Sequence, residues 1–547
     1  MSSESDKVIF ENSVEPYDSS VLFKDKSYVY LTDNSSNGGV FNGQLQWDLG
    51  VMSSQSSYLS LKDAILNFPI RVRITNTGSG AQTPVSSTVL NTVLKNGFYQ
   101  FIDSVSLVVN GQTLQNSQIY ENIACNFRVL TEFSKDELAK NGNMLGIALD
   151  RWASTSANPT LNNVSTQTYV PQYKGFDMTG VTNNPAIWER QVEQNVSVAS
   201  TALSQDILTT SSKILGKSAV GASTGAIAVN SDCYTQFVIG SVRLSDICPA
   251  VRDMPLTKNL SGFLYVNYNA SQSTLISNAS GVITSITSQN IYGRTVPVML
   301  NNGASGFQPG NSATWRLTAE LSAVSDSTTV AGVTSPLLYA RLICPQYVGS
   351  PSVDSALSMK KTWRFQDRTV TSFQIGAGQN QTITLSPGIA NPRKLVIYPY
   401  FSKGYGTYLQ YLSTNPIQSL FSPEPSTTSP FCALSNIQIS VGNIPVFNSP
   451  VNFDIDLFNQ ELATLGLDGG EMVQANSGLL SADLYDTLYR YITCDIGRRL
   501  DSEDGSSKSV IFQANNATTC DITCIAFVYY DKEVTIDTST SVITQGR

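Results

Sequence analysis

Two stretches decide how this chain is read: FIDSVSLVVNGQTLQNS (Phe101–Ser117) and ALSNIQISVGNIPVFNS (Ala433–Ser449). They align without a gap at an offset of 332 residues, Val105 falling on Ile437. Val105, Leu107 and Val109 match Ile437, Ile439 and Val441 as one apolar face at period two, the spacing of a half-buried strand. Asn110-Gly111 matches Gly442-Asn443 at the place where a two-residue hairpin needs positive φ at both positions. Leu114 matches Val446, and the Asn-Ser pair recurs at 116–117 and 448–449. A helix-like segment follows each copy, with Ile123 and Ile455 in register. A strand–turn–strand–helix unit used twice points to two copies of one β domain.

The same period runs outward from these copies. Ile70, Val72 and Ile74 alternate with Arg71 and Arg73. Trp315, Leu317, Ala319 and Leu321 alternate with Arg316, Thr318 and Glu320. Leu338, Ala340, Leu342 and Cys344 form another face, and Ile522, Cys524, Ala526, Val528 and Tyr530 another. Many short strands between Gly, Pro, Asn and Ser clusters read as a sandwich or barrel. Helical signals are short. Ser134 with Glu137 is a capping box whose helix should stop at Asn141-Gly142, Ser481 should cap a second helix, and Phe453–Leu465 reads as a third.

Composition agrees. Of 547 residues, 41% are hydrophobic and 14% charged, against a usual charged share of about 25%. The polarity comes largely from Ser, Thr and Asn, which suit turns and strand faces better than helix surfaces. The length admits two large β domains or about three of ordinary size. There is no histidine, which excludes a Ser-His-Asp triad, a Cys-His pair, an imidazole zinc site and a histidine general base. The net charge of −8 and the lack of a basic arm argue against tight duplex binding by phosphate neutralisation. Met1–Pro16 is polar and acidic, unlike a secretory signal, and no apolar run approaches the length of a bilayer span. The expectation is a soluble chain made in the cytosol. The eight cysteines form no CxxC pair and read as buried free thiols of a reducing compartment, with Cys520 and Cys524 on one strand face.

Ser197–Ser231 and Ser271–Asn290 read as loops, and the change of composition places a domain boundary near 276–295. The expected organisation is an N-terminal arm over 1–20, a first β domain over 21–275, a linker over 276–295, and a second β domain with a C-terminal tail over 296–547.

The stretch Ile102–Leu114 with its trailing helix resembles a segment of double jelly-roll major capsid proteins, the family that builds tailless icosahedral DNA viruses. The likeness is greatest to the virophage and polinton-like group. Phe237–Leu244 with Pro249, Pro255 and Phe263–Tyr268 looks like the closing strands of a first roll. Arg499–Ser502 through Thr523–Tyr530 looks like those of a second. The resemblance is patchy but spans most of the chain. It implies an all-β fold of two tandem eight-stranded jelly-roll sandwiches with a few short helices and long inserted loops. It implies a homotrimer of pseudo-hexagonal outline whose capsomers tile a virion shell assembled inside the host cell. Its partners would be neighbouring capsomers, penton and minor capsid proteins, with room for an inner membrane beneath. It implies no enzyme activity, no cofactor, no catalytic or metal-binding residue and no sequence-specific nucleic-acid binding. Ser197–Ser231 would form an outer tower, and residues 1–20 would reach beneath a neighbour.

The remaining motifs are weak. Gly216-Lys217-Ser218 has the tail of a phosphate-binding loop, but Ser211 stands where the first glycine belongs. Asp501, Glu503, Asp504 and Gly505 fail the calcium-loop pattern because glycine occupies the fifth position. Asp454/Asp456 and Asp531/Glu533 are too close in sequence to form by themselves a carboxylate pair across a cleft. Trp47, Trp152, Trp188, Trp315 and Trp363 read as core or anchor residues rather than a sugar platform. The competing functions are a lectin-like attachment protein, which needs a sugar or receptor pocket, and a polysaccharide-cleaving enzyme, which needs an acidic cleft.

Overall fold

The computed structural model describes residues 22–52, 57–81, 92–147, 214–219, 228–277, 283–300, 314–324, 335, 337–351, 357, 360–402, 415–420, 424–428, 434–465, 478–497, 505–537, 540 and 542–545. The expected arm (1–20), most of the expected tower (197–231) and the acidic triplet Asp501, Glu503 and Asp504 lie outside them, as do Trp152, Trp188 and Cys432.

The first half contains β1 (Phe23–Thr32), β2 (Gln44–Asp48), β3 (Tyr58–Leu59), β4 (Ile65–Asn76), β5 (Thr92–Leu94), β6 (Ile102–Val109) and β7 (Gln112–Gln115). Helices α1 (Glu121–Glu132) and α2 (Lys135–Leu145) follow, then β8 (Ile214–Ala219) and β9 (Asp232–Arg243). Next come the one-turn helices α3 (Leu244–Ile247) and α4 (Pro249–Arg252), then β10 (Gly262–Tyr268), β11 (Ala270–Ser277), β12 (Ile283–Tyr292), β13 (Val298–Leu300), β14 (Thr314–Leu321) and β15 (Arg341–Gly349). The second half contains β16 (Lys360–Ile375), β17 (Asn380–Ala390), β18 (Pro392–Phe401), β19 (Leu434–Val441) and β20 (Ile444–Pro445). It ends with α5 (Ile455–Thr464), α6 (Ala482–Thr487), β21 (Ile492–Asp495), β22 (Ser507–Asn516), β23 (Ile522–Asp537) and β24 (Ile543–Gln545).

In the second half one sheet orders β16-β23-β18-β21 and the other β17-β22-β19-β20. All these neighbours are antiparallel. Eight consecutive strands dealt this way between two sheets make a jelly roll. The first half repeats the pattern. Its small sheet orders β2-β10-β6-β7. In its large sheet β4 lies between β9 on one side and β14 and β15 on the other, and β15 pairs with β1. The role of β23 is thus shared by β14 and β15. The aligned strands β6 and β19 hold the same place in the two rolls. Val105, Leu107, Ile437 and Ile439 are fully buried. Asn110 (φ 48°) with Gly111 (77°), and Gly442 (57°) with Asn443 (68°), adopt the left-handed backbone that both turns demand.

The expected boundary at 276–295 is corrected. Residues 283–292 are β12, which pairs with β11 as a hairpin on the first large sheet. β14 and β15 then return to pair with β4 and β1, so the first roll extends to Gly349 and the second begins at Lys360. The cause is topological. A jelly roll closes only when its last strand lies beside its first, so β9 and β10 (containing Phe237–Arg243 and Phe263–Tyr268) could not close this one. The Ser/Thr-rich composition of 271–290 marks an inserted hairpin, not a linker.

Smaller expectations divide. Ser134 Oγ accepts from Glu137 N at 3.0 Å, and Ser481 Oγ from Leu484 N at 3.4 Å, capping α2 and α6. α2 passes its expected stop and ends before Gly146 (φ 68°). Burial of Leu145 and Ile147 in the first core outweighs a cost of about 1 kcal/mol for Gly142 inside a helix. Leu338 precedes β15 and is exposed, and Cys520 lies in the turn before β23 rather than on it.

Candidate functional site at the seam between the rolls

The two rolls share a buried seam. The sequence KLVIYPYF (Lys394–Phe401) shows no alternation, and neither does CIAFVYY (Cys524–Tyr530), because both strands are covered on two faces. Leu395, Ile397 and Phe401 of β18, with Cys524, Ala526 and Val528 of β23, face the core of the second roll. Val396, Tyr398 and Tyr400, with Ile525, Phe527 and Tyr529, face the other way, onto Ile123, Ala124, Phe127 and Leu130 of α1. Phe458 and Leu462 of α5 join the same cluster, so the helices after the two repeated hairpins meet in one apolar layer. The far halves of the 16-residue strands β16 and β23 reach over the first roll, where Trp363, Phe365, Val534 and Ile536 enter its core. Trp363 Nε1 donates to Ala250 O at 3.0 Å.

One buried amide in this layer is matched on several sides. Asn126 of α1 donates to Tyr491 Oη at 2.9 Å and to Ser426 O at 3.0 Å, and its Oδ1 accepts from Tyr99 Oη at 2.8 Å. Such satisfied buried bonds favour one registration of two apolar faces over its neighbours.

At one end of the seam the lining turns charged around a cavity of about 270 Å³. Arg368 of β16 and Glu121 of α1, both fully buried, form an ion pair between the rolls. Burial pushes the Glu121 carboxyl above its usual range, and Arg368 pulls it only part of the way back. Arg128 contacts Glu132 at 2.6 Å and Asp246 at 2.5 Å, and Arg243 contacts Asp246 at 2.8 Å. Burial would raise Glu132, but Arg128, Arg252 and Lys394 outweigh it and hold it low. Lys394 of β18 is 7% exposed. Its ammonium lies over Tyr529 (4.5 Å) and Phe127 (5.7 Å), and burial lowers its pKa to about 8.

The groups that the sequence singled out are committed to packing, pairing or capping where they are described. Cys125 and Cys248 at the seam are buried thiols pushed well above their ordinary value by burial, so neither is a nucleophile near neutral pH. Among the described residues no three Cys, Asp or Glu side chains converge to hold a metal. Gly216-Lys217-Ser218 lies in β8, paired with β9, and not in a loop that opens a helix. Asp454 caps α5, accepting from Leu457 N at 2.8 Å. Asp531 pairs with Arg393 at 3.2 Å, and Glu533 with Arg364 at 2.7 Å. Trp47 and Trp315 are core residues. The charged seam was not among the sequence expectations. Its only trace was Lys394 and Arg368 inside or beside apolar strands.

No protein-family model matches the chain, and no curated protein does. Solved structures do resemble it. It is similar to the major capsid protein of mavirus at 9% identity and a TM-score of 0.47, covering 100% of this chain and 95% of that one. It is similar to a chain of the Sputnik virophage at 9% identity and a TM-score of 0.42, covering 97% and 90%. It is similar to a chain of the PBCV-1 virus capsid at 9% identity and a TM-score of 0.40, covering 98% and 100%.

Proposed function

We propose that the chain is a major capsid protein whose two jelly rolls act as one rigid tile in an icosahedral virion shell. The observation that carries this reading is the seam: two rolls of the same strand order joined through an apolar layer covered on both sides. A shell unit must hold the angle between its parts against the load of its neighbours. Two rolls on a free linker could not do so, whereas a buried, hydrogen-bonded layer can. The family resemblance of Ile102–Leu114 and its trailing helix supports the same reading.

In this reading three chains associate about a threefold axis, so that six rolls give a nearly hexagonal outline. Inserted segments between strands form the outer surface, residues 1–20 reach beneath a neighbour, and penton and minor capsid proteins complete the shell. The chain performs no catalysis and takes no cofactor for this role. Among the described residues β1 is an edge strand that pairs only with β15, and with Tyr28 and Tyr30 exposed it offers backbone and apolar area of the kind that association covers.

Light scattering on the purified chain tests the proposal. Trimers would give a mass of about 178 kDa, three times that of the 59.2 kDa chain, and electron microscopy would show pseudo-hexagonal particles. A monomer that persists across concentration and ionic strength would overturn it and turn attention to glycan binding.

A further inference from the structure

We infer that the charged end of the seam is a binding site for a small tetrahedral oxyanion of the phosphate class, held by Lys394 from the second roll and Arg252 from the first. Most carboxylates that line the cavity are already committed. Glu121 is held by Arg368, Glu132 by Arg128, and Asp246 by Arg128 and Arg243. The cations are not matched in the same way. Lys394, more than nine-tenths buried and lining the cavity, has aromatic rings beneath its ammonium, and the carboxylate that acts on it, Glu132, is already shared with Arg128 and Arg252. Arg252 meets Glu132 only at 3.8 Å, and its buried Nε has no hydrogen-bond partner there.

A buried cation without an acceptor is costly, and a bound anion offsets that cost. An ammonium and a guanidinium that line one cavity from different rolls suit a small oxyanion with acceptors in several directions. The volume of about 270 Å³ lies near the lower end of the roughly 300–1,000 Å³ range of small-molecule pockets and has room for a phosphoryl group. Because its two cations come from different rolls, the anion would tie the seam at the end where apolar packing gives way to charge. The site does not depend on the shell reading.

Equilibrium dialysis of radiolabelled orthophosphate against the full chain near neutral pH, with chloride holding ionic strength constant, tests the inference. One phosphate should bind per chain, with sulfate competing. Lys394→Met and Arg252→Gln should each weaken binding at least tenfold. Lys394→Met replaces a buried charge with an apolar side chain of similar length and should fold. Arg252, with a third of its side chain exposed, supplies an independent second variant. A nucleoside monophosphate that competes as well as orthophosphate would place the phosphoryl group on a larger carrier. One that fails to compete would make the free ion the occupant. Absence of saturable binding, or binding that neither substitution weakens, overturns the inference.

Discussion

Arg368→Met should be among the most damaging single substitutions in the second roll, and a second change should reverse the damage. Arg368 and Glu121 are 4% and 3% exposed at their side chains and join β16 to α1 across the seam. Removing Arg368 leaves a carboxylate buried without its partner, which costs about 3–5 kcal/mol. For a unit the size of the second roll, about 2–4 °C of unfolding midpoint is lost per kcal/mol. Calorimetry should therefore show a fall of roughly 6–20 °C. The double variant Arg368→Met/Glu121→Leu buries apolar groups of similar volume instead. It should recover the wild-type midpoint or exceed it, less a few tenths of a kcal/mol for the acidic residue lost from the first turn of α1. The pH dependence carries a second signature. Burial already raises the Glu121 carboxyl above its unfolded value, and losing Arg368 raises it further. A native state that holds a proton the unfolded state has released loses stability as pH rises through that window. The deficit of Arg368→Met should therefore shrink on acidification. A single variant within about 2 °C of wild type, or a double variant as unstable as the single, would refute the reasoning.

Three further outcomes are expected. Lys394 falls from 10.5 to about 8 on folding, so stability should rise as pH climbs through that interval. Lys394→Met should gain about 3 kcal/mol below pH 8 and nothing above about pH 10.5, and denaturation at several pH values would reveal a flat difference if this is wrong. Phe127→Ala in the seam should cost about 3–5 kcal/mol and split one thermal transition into two as the rolls uncouple; a single unshifted transition would show that they are not coupled through α1. Alkylation of the native protein, read by peptide mass spectrometry, should label Cys520 well before the buried Cys125, Cys344 and Cys524, and equal rates would contradict the described packing.

Much of the fold was legible because its signals are local. The faces Ile70/Val72/Ile74 and Ile522/Cys524/Ala526/Val528 lie on their cores. The caps Ser134 and Ser481 hold their helices, and the two hairpin turns take positive φ at the paired positions. In each case the physical cause acts within a few residues. The failures are non-local. Whether Trp315–Leu321 belongs to the first or the second roll depends on its pairing with Ile70–Asn76, more than two hundred residues away, and no local pattern records that.

The sequence by itself determined the building units: strands of set facing, tight turns, short capped helices, a duplicated hairpin-and-helix, and a chain without histidine chemistry. Periodicity and turn stereochemistry are written into neighbouring residues, so they survive without the rest of the molecule. Only the tertiary structure decided where the first roll closes, that β18 and β23 are buried on both faces, and that Glu121, Arg368, Arg252 and Lys394 gather at one end of the seam. Those outcomes rest on which distant surfaces exclude water from each other, and a charge acquires its meaning there only once the opposite roll has taken its solvent away.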